Sequence, residues 1–300
     1  MHLYAIGDIH GHLDLLHAAH DLIADDMARH GAGPVIHIGD LVDRGPDSCG
    51  VIDFLIRGLA EGRDWVVLKG NHDRMFTRFL RDPEEPEPGL RSGLSWLHPR
   101  LGGADTLGSY GVASAADRPV AKVHADALSA VPRTHLDFLL ARPALHEAGE
   151  AAFVHAGIRP GIPLHAQTET DLVWIRDTFL MEPASHGPLI VHGHTAIDTA
   201  THYGNRLNLD SGAGLIFRAM LPCADDKAHF SPADHRCDHC SGSDLAALDR
   251  ARADLQMRLY QTLAWPGRQF RKLAAHLGLV HAQPHHSRVP VFRPTLAGRP

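Results

Sequence analysis

Short apolar runs that each stop at a glycine and a polar turn dominate the first third of the chain. Leu3 to Ile6, Val35 to Ile38 and Trp65 to Leu68 read as buried strands, ending at Gly7, Gly39 and near Gly70. Between the first two, Leu13, Leu16, Leu22, Ile23 and Met27 recur at helical spacing from His12 to His30, and Gly31 and Gly33 stop that helix. A second helix is predicted over Asp47 to Gly62 with Asp47 or Ser48 as its cap, and a third after Gly70-Asn71-His72-Asp73, ending near Arg81. Strand and helix alternate, which favours parallel pairing with right-handed crossovers. Ligands then gather at the carboxyl ends of the strands.

The rhythm breaks between Asp82 and Gly111, where Pro83, Pro86, Pro88 and several glycines predict a loop with short helical pieces over the site. Trp96, Leu101 and residues 102–110 could line a substrate cleft there, or Trp96 could simply pack the loop onto the core. A helical stretch near Arg133 to Ala141 is followed by strands at Ala152 to Val154, Leu189 to His192, Arg206 to Leu209 and Leu215 to Met220. Several strands in succession predict a second sheet.

The turns carry the chemistry. Gly39-Asp40-Leu41-Val42-Asp43-Arg44-Gly45 delivers two carboxylates and a guanidinium to one sheet edge, where backbone amides are also free. Alone, it could be an Asp-rich surface turn. The same device recurs in Gly7-Asp8-Ile9-His10-Gly11, Gly70-Asn71-His72-Asp73, Val154-His155-Ala156-Gly157 and Val191-His192-Gly193-His194-Thr195, each with metal-ligand residue types. Carboxylate, imidazole and amide without thiolate suit manganese, iron or zinc better than a soft-metal or all-oxygen calcium site.

These five blocks resemble the phosphoprotein phosphatase branch of the calcineurin-like metallophosphoesterases, especially small bacterial members and diadenosine tetraphosphatase-like proteins. The resemblance runs from about Leu3 to Gly214. It implies an α/β/β/α sandwich of two mixed sheets flanked by helices. It also implies two divalent metal ions, with manganese the first choice and iron or zinc as alternatives. Asp8, His10 and Asp40 would hold one ion, and Asp40, Asn71, His155 and His194 the other, with Asp40 as the bridge. Two ions about 3.5–4 Å apart can share a hydroxide and clamp phosphoryl oxygens for in-line attack. His72 would protonate the leaving oxygen, oriented by Asp43. Arg44 and Arg176 would bind non-bridging phosphate oxygens through their planar donors, beside Asn71. Many relatives use a second histidine two residues after the Gly-His pair; here that position is Ala196. His192 is read as a strand residue supporting the site, and Asp73 as a helix-start residue rather than a ligand.

Composition narrows the picture. Three hundred residues, 44% hydrophobic, can bury a sizeable core. With 25 histidines a lone one carries little information, and His17, His20 and His30 are expected to be solvated. No apolar run reaches eighteen residues, so neither a membrane span nor a signal peptide is expected, and the expected location is cytoplasmic. Four cysteines do not make a disulfide framework for this length. Residues 222–300 carry 11 Lys and Arg against 7 Asp and Glu, leaving residues 1–221 with 18 against 28. An acidic body argues against non-specific nucleic-acid binding by the core.

A catalytic domain over residues 1–221 and a basic extension over 222–300 are therefore expected. In the extension, Ser243 to Leu263 and Arg268 to Leu279 have amphipathic helical spacing, and residues beyond Ala282 have the composition of a disordered segment. A single CxxC, Cys237 to Cys240, is weak support for a zinc knuckle. The abrupt change after Gly214 also fits a change of reading frame in the gene, which resequencing would test.

The leading functional expectation is a dinuclear-metal serine/threonine protein phosphatase acting on phosphomonoesters. The alternatives are hydrolysis of diadenosine tetraphosphate or related nucleotide caps, and a non-catalytic metal-bound scaffold. The partner is accordingly a phosphoprotein or a nucleotide polyphosphate. The catalytic blocks are shared by both enzyme readings and do not separate them.

Overall fold

A computed structural model of the chain describes residues 2–212 and the backbone of strand 216–220. Strands β1 (His2–Ile6), β2 (Val35–His37) and β3 (Trp65–Val67) alternate with helices α1 (Leu13–His30), α2 (Ser48–Ala60) and α3 (Asn71–Arg81), as the spacing predicts. Asp47 caps α2 by accepting from Gly50 N at 2.7 Å. Gly31, at φ 104°, takes a conformation that an L side chain resists and ends α1. Helices α4 (Gly103–Ser109), α5 (Val120–Ala130) and α6 (Arg133–Leu140) follow, then β4 (Leu145–Ala148), β5 (Ala151–Val154), α7 (Glu169–Trp174), α8 (Asp177–Leu180), β6 (Leu189–His192), β7 (Thr201–His202), β8 (Arg206–Asn208) and β9 (Ile216–Met220).

Two sheets result, ordered β3-β2-β1-β9 and β4-β5-β6-β8-β7. In the first, β1, β2 and β3 are parallel; in the second, β5, β6 and β8 are parallel. The period-2 alternation of each strand builds the layers. Leu3, Ala5, Ile36 and Ile38 face Ala151, Phe153, Val191 and Leu207 between the sheets. Tyr4, Ile6 and Val35 point the other way, into the core beneath α1, α2 and α3. Ala152, Val154 and Ile190 pack outward against Leu172, Val173 and Phe179. This is the α/β/β/α sandwich.

The last strand corrects one expectation. The order of strands in the sequence places Leu215 to Met220 in the second sheet, yet Ile216–Met220 pairs antiparallel with β1, placing Met220 opposite His2. Edge positions are filled by whichever strand reaches them, and β1 offered an unpaired side. Helices α5, α7 and α8 and the short strands β4 and β7 are not predicted by the sequence pattern. His20 is not a solvated residue: its ring lies 4.3 Å from that of Trp65, and its Nε2 is 3.0 Å from Nε2 of buried His37. No helix among the described residues is long and apolar enough to cross a membrane. The expected tail helices and the CxxC lie outside the described residues.

Candidate metal centre and active site

Six parallel strands end at one edge of the sandwich, and each following turn contributes to one cluster. Asp8 and His10 follow β1; Asp40, Asp43 and Arg44 follow β2; Asn71 and His72 open α3 behind β3. His155 follows β5, His194 follows β6 and Asp210 follows β8. All but Arg44 are buried. Left-handed backbone is concentrated here, with φ of 45° at His10, 49° at Asp40, 75° at Asp43, 69° at Arg44 and 65° at His194. Each such residue costs about 1–3 kcal/mol and persists only where its surroundings over-determine it. The determinants are visible: His10 N donates to Asp40 O at 2.8 Å, and the Asp73 carboxylate accepts from both Leu41 N and Gly70 N at 2.9 and 2.7 Å. Asp73 is thus the helix-start residue its position predicts.

Asp40 sits at the middle. Its carboxylate joins His10 and His72 in one group and His155 and His194 in another, each able to hold a metal ion, with one candidate ligand atom per residue and all of them within 4.8 Å of one another. Asp40 Oδ2 lies 3.5 Å from His10 Nε2, and Oδ1 lies 3.2 Å from His155 Nε2. Asp8 stands slightly apart, with Oδ2 3.9 Å from His10 Nε2 and Oδ1 accepting from His194 N at 3.3 Å. Asn71 Oδ1 is 2.8 Å from His155 Nε2. The six residues expected as ligands therefore converge, and His72 is nearer to the first group than the sequence implied.

The donor set fits a divalent metal pair. His10 and His155 direct Nδ1 at the carbonyls of Val42 and Ile38, at 2.9 and 3.1 Å, which leaves both Nε2 atoms facing the centre. His194 Nε2 is buried without a hydrogen-bond partner, an atom that a coordinated cation would satisfy. Burial, followed by the charges of Arg44 for His10 and of His155 for His194, holds both imidazoles well below their ordinary range, in the neutral form that coordination requires.

The carboxylates call for positive charge. Burial, then Asp210 and Asp40, pushes Asp8 well above the usual carboxylate range. Burial alone would also raise Asp40, but His155 and His72 hold it well below. His155 is buried, which disfavours its cation, yet Asp40 and then Asp8 lift it to about 9.

On the solvent side, Arg44 Nη1 reaches His10 Nε2 at 2.5 Å and Nη2 reaches His72 Nε2 at 3.0 Å. Arg176, between α7 and α8, donates from Nη1 to Thr195 Oγ1 at 3.0 Å, beside His194. Partial burial lowers its pKa, and the charges of Asp40, Asp210 and Asp8 oppose that shift. His72 Nδ1 is 2.6 Å from Asp43 Oδ2, so Nε2 faces the cluster. His192 is a buried strand residue whose Nε2 lies 3.2 Å from Arg206 Nη1; burial, then Arg206, lowers it to about 3. It supports the strand end and does not face the centre.

Several contacts at the site were not assigned from sequence. Asp210 closes the sixth turn, and its Asn-Leu-Asp-Ser-Gly context repeats the strand-then-turn form that marked the other five. Trp174 lies with its ring 5.7 Å from that of His194 and donates from Nε1 to Glu87 at 2.8 Å. Glu87 also pairs with buried Arg74, tying the proline-rich loop to α3 and α7. Trp96 packs the loop on the core and also donates to Asp43 Oδ2 at 2.8 Å, and Thr106 donates to Oδ1 at 2.7 Å.

The family model described as calcineurin-like phosphoesterase matches residues 1–219. The chain belongs to that family. Its members use a dinuclear metal centre, and this calcineurin-like phosphoesterase has the His and Asp groups for one. It is 35% identical over 160 residues to a symmetrical bis(5'-nucleosyl)-tetraphosphatase of Methylococcus capsulatus, covering 53% of this chain and 44% of the relative. A protein of the same name from Neisseria meningitidis is 34% identical over 157 residues, covering 52% and 44%. The chain thus spans less than half the length of these curated relatives. A crystal structure described as a candidate diadenosine tetraphosphatase is similar with a TM-score of 0.47 and 21% identity, over 73% of this chain and 92% of that one.

Proposed function

We propose that this calcineurin-like phosphoesterase hydrolyses dinucleoside polyphosphates. The observation that carries the phosphohydrolase chemistry is the sharing of Asp40 between two buried ligand groups. The substrate class is supported by the two curated relatives, both named as symmetrical tetraphosphatases. The phosphoprotein reading, which led on sequence alone, becomes the second one.

In this reading Asp8, His10 and Asp40 would hold one metal ion and Asp40, Asn71, His155 and His194 the other. When bound, the pair supplies Lewis-acid charge to the phosphoryl oxygens and orients the attack of water. Arg44 and Arg176 grip non-bridging oxygens through planar paired donors. As the oxygen of water bonds to phosphorus, the bond from phosphorus to the bridging oxygen breaks. The attacking water gives up one proton to solvent, and the departing oxygen takes one from Nε2 of His72 in its imidazolium form once Arg44, which here donates to that Nε2 at 3.0 Å, has turned to the phosphate; Asp43 holds the ring through Nδ1. Symmetrical cleavage of a tetraphosphate would release two nucleoside diphosphates.

The buried His72 and Asp43 pair favours the second reading to one degree. A serine alkoxide needs a proton on departure far more than a nucleoside diphosphate does. The test is product release from diadenosine tetraphosphate, a phosphoserine peptide and an aryl phosphate, measured in parallel after metal stripping and addition of manganese. The expected result is the highest kcat/KM on the dinucleotide. Preference for the peptide would overturn the nucleotide assignment, and inactivity on all three with two metals bound would return the scaffold alternative.

A further inference from the structure

The Asp43 carboxylate is held from three directions, and two of them come from the segment between Asp82 and Gly111. Oδ2 receives Trp96 Nε1 at 2.8 Å and His72 Nδ1 at 2.6 Å; Oδ1 receives Thr106 Oγ1 at 2.7 Å. Thr106 Oγ1 in turn accepts from Asp43 N at 2.8 Å and lies 3.1 Å from Ser48 Oγ. A hydroxyl has one proton, and Thr106 gives it to Asp43, so Ser48 is the donor of that pair. Asp43 is fully buried.

The same helix that presents His72 also carries the support for Trp96. His72, Phe76 and Phe79 are spaced i, i+4, i+7 and share one face of α3. The Trp96 ring stacks on Phe76, with centroids 5.2 Å apart and planes 23° apart, and lies 4.8 Å from Phe79. Gly103 closes the far side: a Cβ there would fall 2.5 Å from the indole. The indole is thus packed between α3 and the start of α4, with its N–H on the carboxylate. Gly102, at φ 86°, starts α4 so that Thr106 reaches Oδ1.

We infer that Trp96 and Thr106 are positioning residues for proton delivery: together they fix the rotation of the Asp43 carboxylate, and so the imidazole of His72, against the leaving oxygen. The inference rests on the reading of His72 as the proton donor. Neither side chain touches the ligand groups, so their effect should appear only where the leaving group needs a proton.

The test uses full-length protein and two aryl esters, p-nitrophenyl phosphate, whose phenolate leaves unaided, and phenyl phosphate, whose phenolate is poorer. Trp96→Phe keeps the stacking and removes the N–H; Thr106→Val removes the hydroxyl and Thr106→Ser restores it. The expected result for Trp96→Phe and Thr106→Val is a fall in kcat on phenyl phosphate on the order of tenfold, with a much smaller change on p-nitrophenyl phosphate. Metal content should stay near that of the parent, and Thr106→Ser should recover the ratio. Equal losses on both esters would overturn the inference, since a merely structural role lowers both. His72→Ala is measured on the same pair. If it shows no leaving-group dependence, the proton-donor reading fails; if it does and Trp96→Phe does not, only the present inference fails.

Discussion

Asp40 Oδ1 lies 3.2 Å from His155 Nε2 with both side chains buried, and the opposite oxygen of the same carboxylate faces His10. The two ligand groups therefore depend on one side chain. Asp40→Asn keeps the volume and removes the charge, so bound metal measured by mass spectrometry should fall from two ions per chain toward none. His194→Ala should cost one ion. Activity of Asp40→Asn should fall by more than the roughly 100-fold that loss of a supporting partner costs. Two retained ions in Asp40→Asn would show that it is not the bridge.

Arg176 offers a planar fork at the mouth of the centre, next to Thr195. A charge-assisted hydrogen bond to phosphate is worth about 1.5–3 kcal/mol, so Arg176→Ala should lower kcat/KM about 10- to 100-fold with metal content unchanged. Arg176→Lys should recover little, because an ammonium cannot make two parallel bonds. A kcat/KM within twofold of the parent in Arg176→Ala would remove this residue from the substrate contacts.

The facing imidazoles of His20 and His37 predict acid sensitivity. His37 Nδ1 lies 3.2 Å from Val66 O, so it donates there, and its Nε2 accepts from His20 Nε2 at 3.0 Å. Burial lowers His37 to about 3 and His20 to about 4. The unfolded imidazoles take up protons near their ordinary value of 6.5 while the folded ones do not, so stability is full above that pH and is lost as pH falls below it. The loss for a fully buried imidazole amounts to about 2 kcal/mol between pH 6.5 and 5. The double variant His20→Leu, His37→Leu should therefore lose less Tm than the parent between pH 7 and 5. An equal or steeper loss in the double variant would contradict the assignment.

Gly58 inverts the usual helix rule. Replacing an exposed mid-helix glycine by alanine gains about 1 kcal/mol. Here a Cβ would meet the Trp65 ring, which is itself packed against His20 and Phe54. Gly58→Ala should lower stability by about 1–3 kcal/mol in denaturant titration. A gain would mean that Trp65 moves freely.

What the sequence determined by itself was local. The turns that carry Asp8, His10, Asp40, Asn71, His155 and His194 could be picked out because each is glycine-bounded and directly behind an apolar run, and in a parallel sheet such turns share an edge; which of their residues are ligands came from the family resemblance. Helices α1, α2 and α3 were legible from 3.6-residue spacing and their stop signals. Helix α5 was not, because its buried positions, Val123 and Ala127, are too few and too small to mark a face. Two-residue β7 is too short to show alternation.

Tertiary structure decided whatever depends on distant partners. Nothing local in Ile216–Met220 says that it lies beside β1 rather than β8, since strand partners are chosen by free edges and connection paths. Trp96 is 53 residues from Asp43 and Thr106 is 63, so the hydrogen bonds that hold the carboxylate appear only once Phe76, Phe79 and Gly103 have set the indole in place. His20 reads as a surface residue until Trp65 and His37 close over it. Turn chemistry is written in adjacent residues, whereas the packing that orients it comes from contacts between segments far apart in the chain.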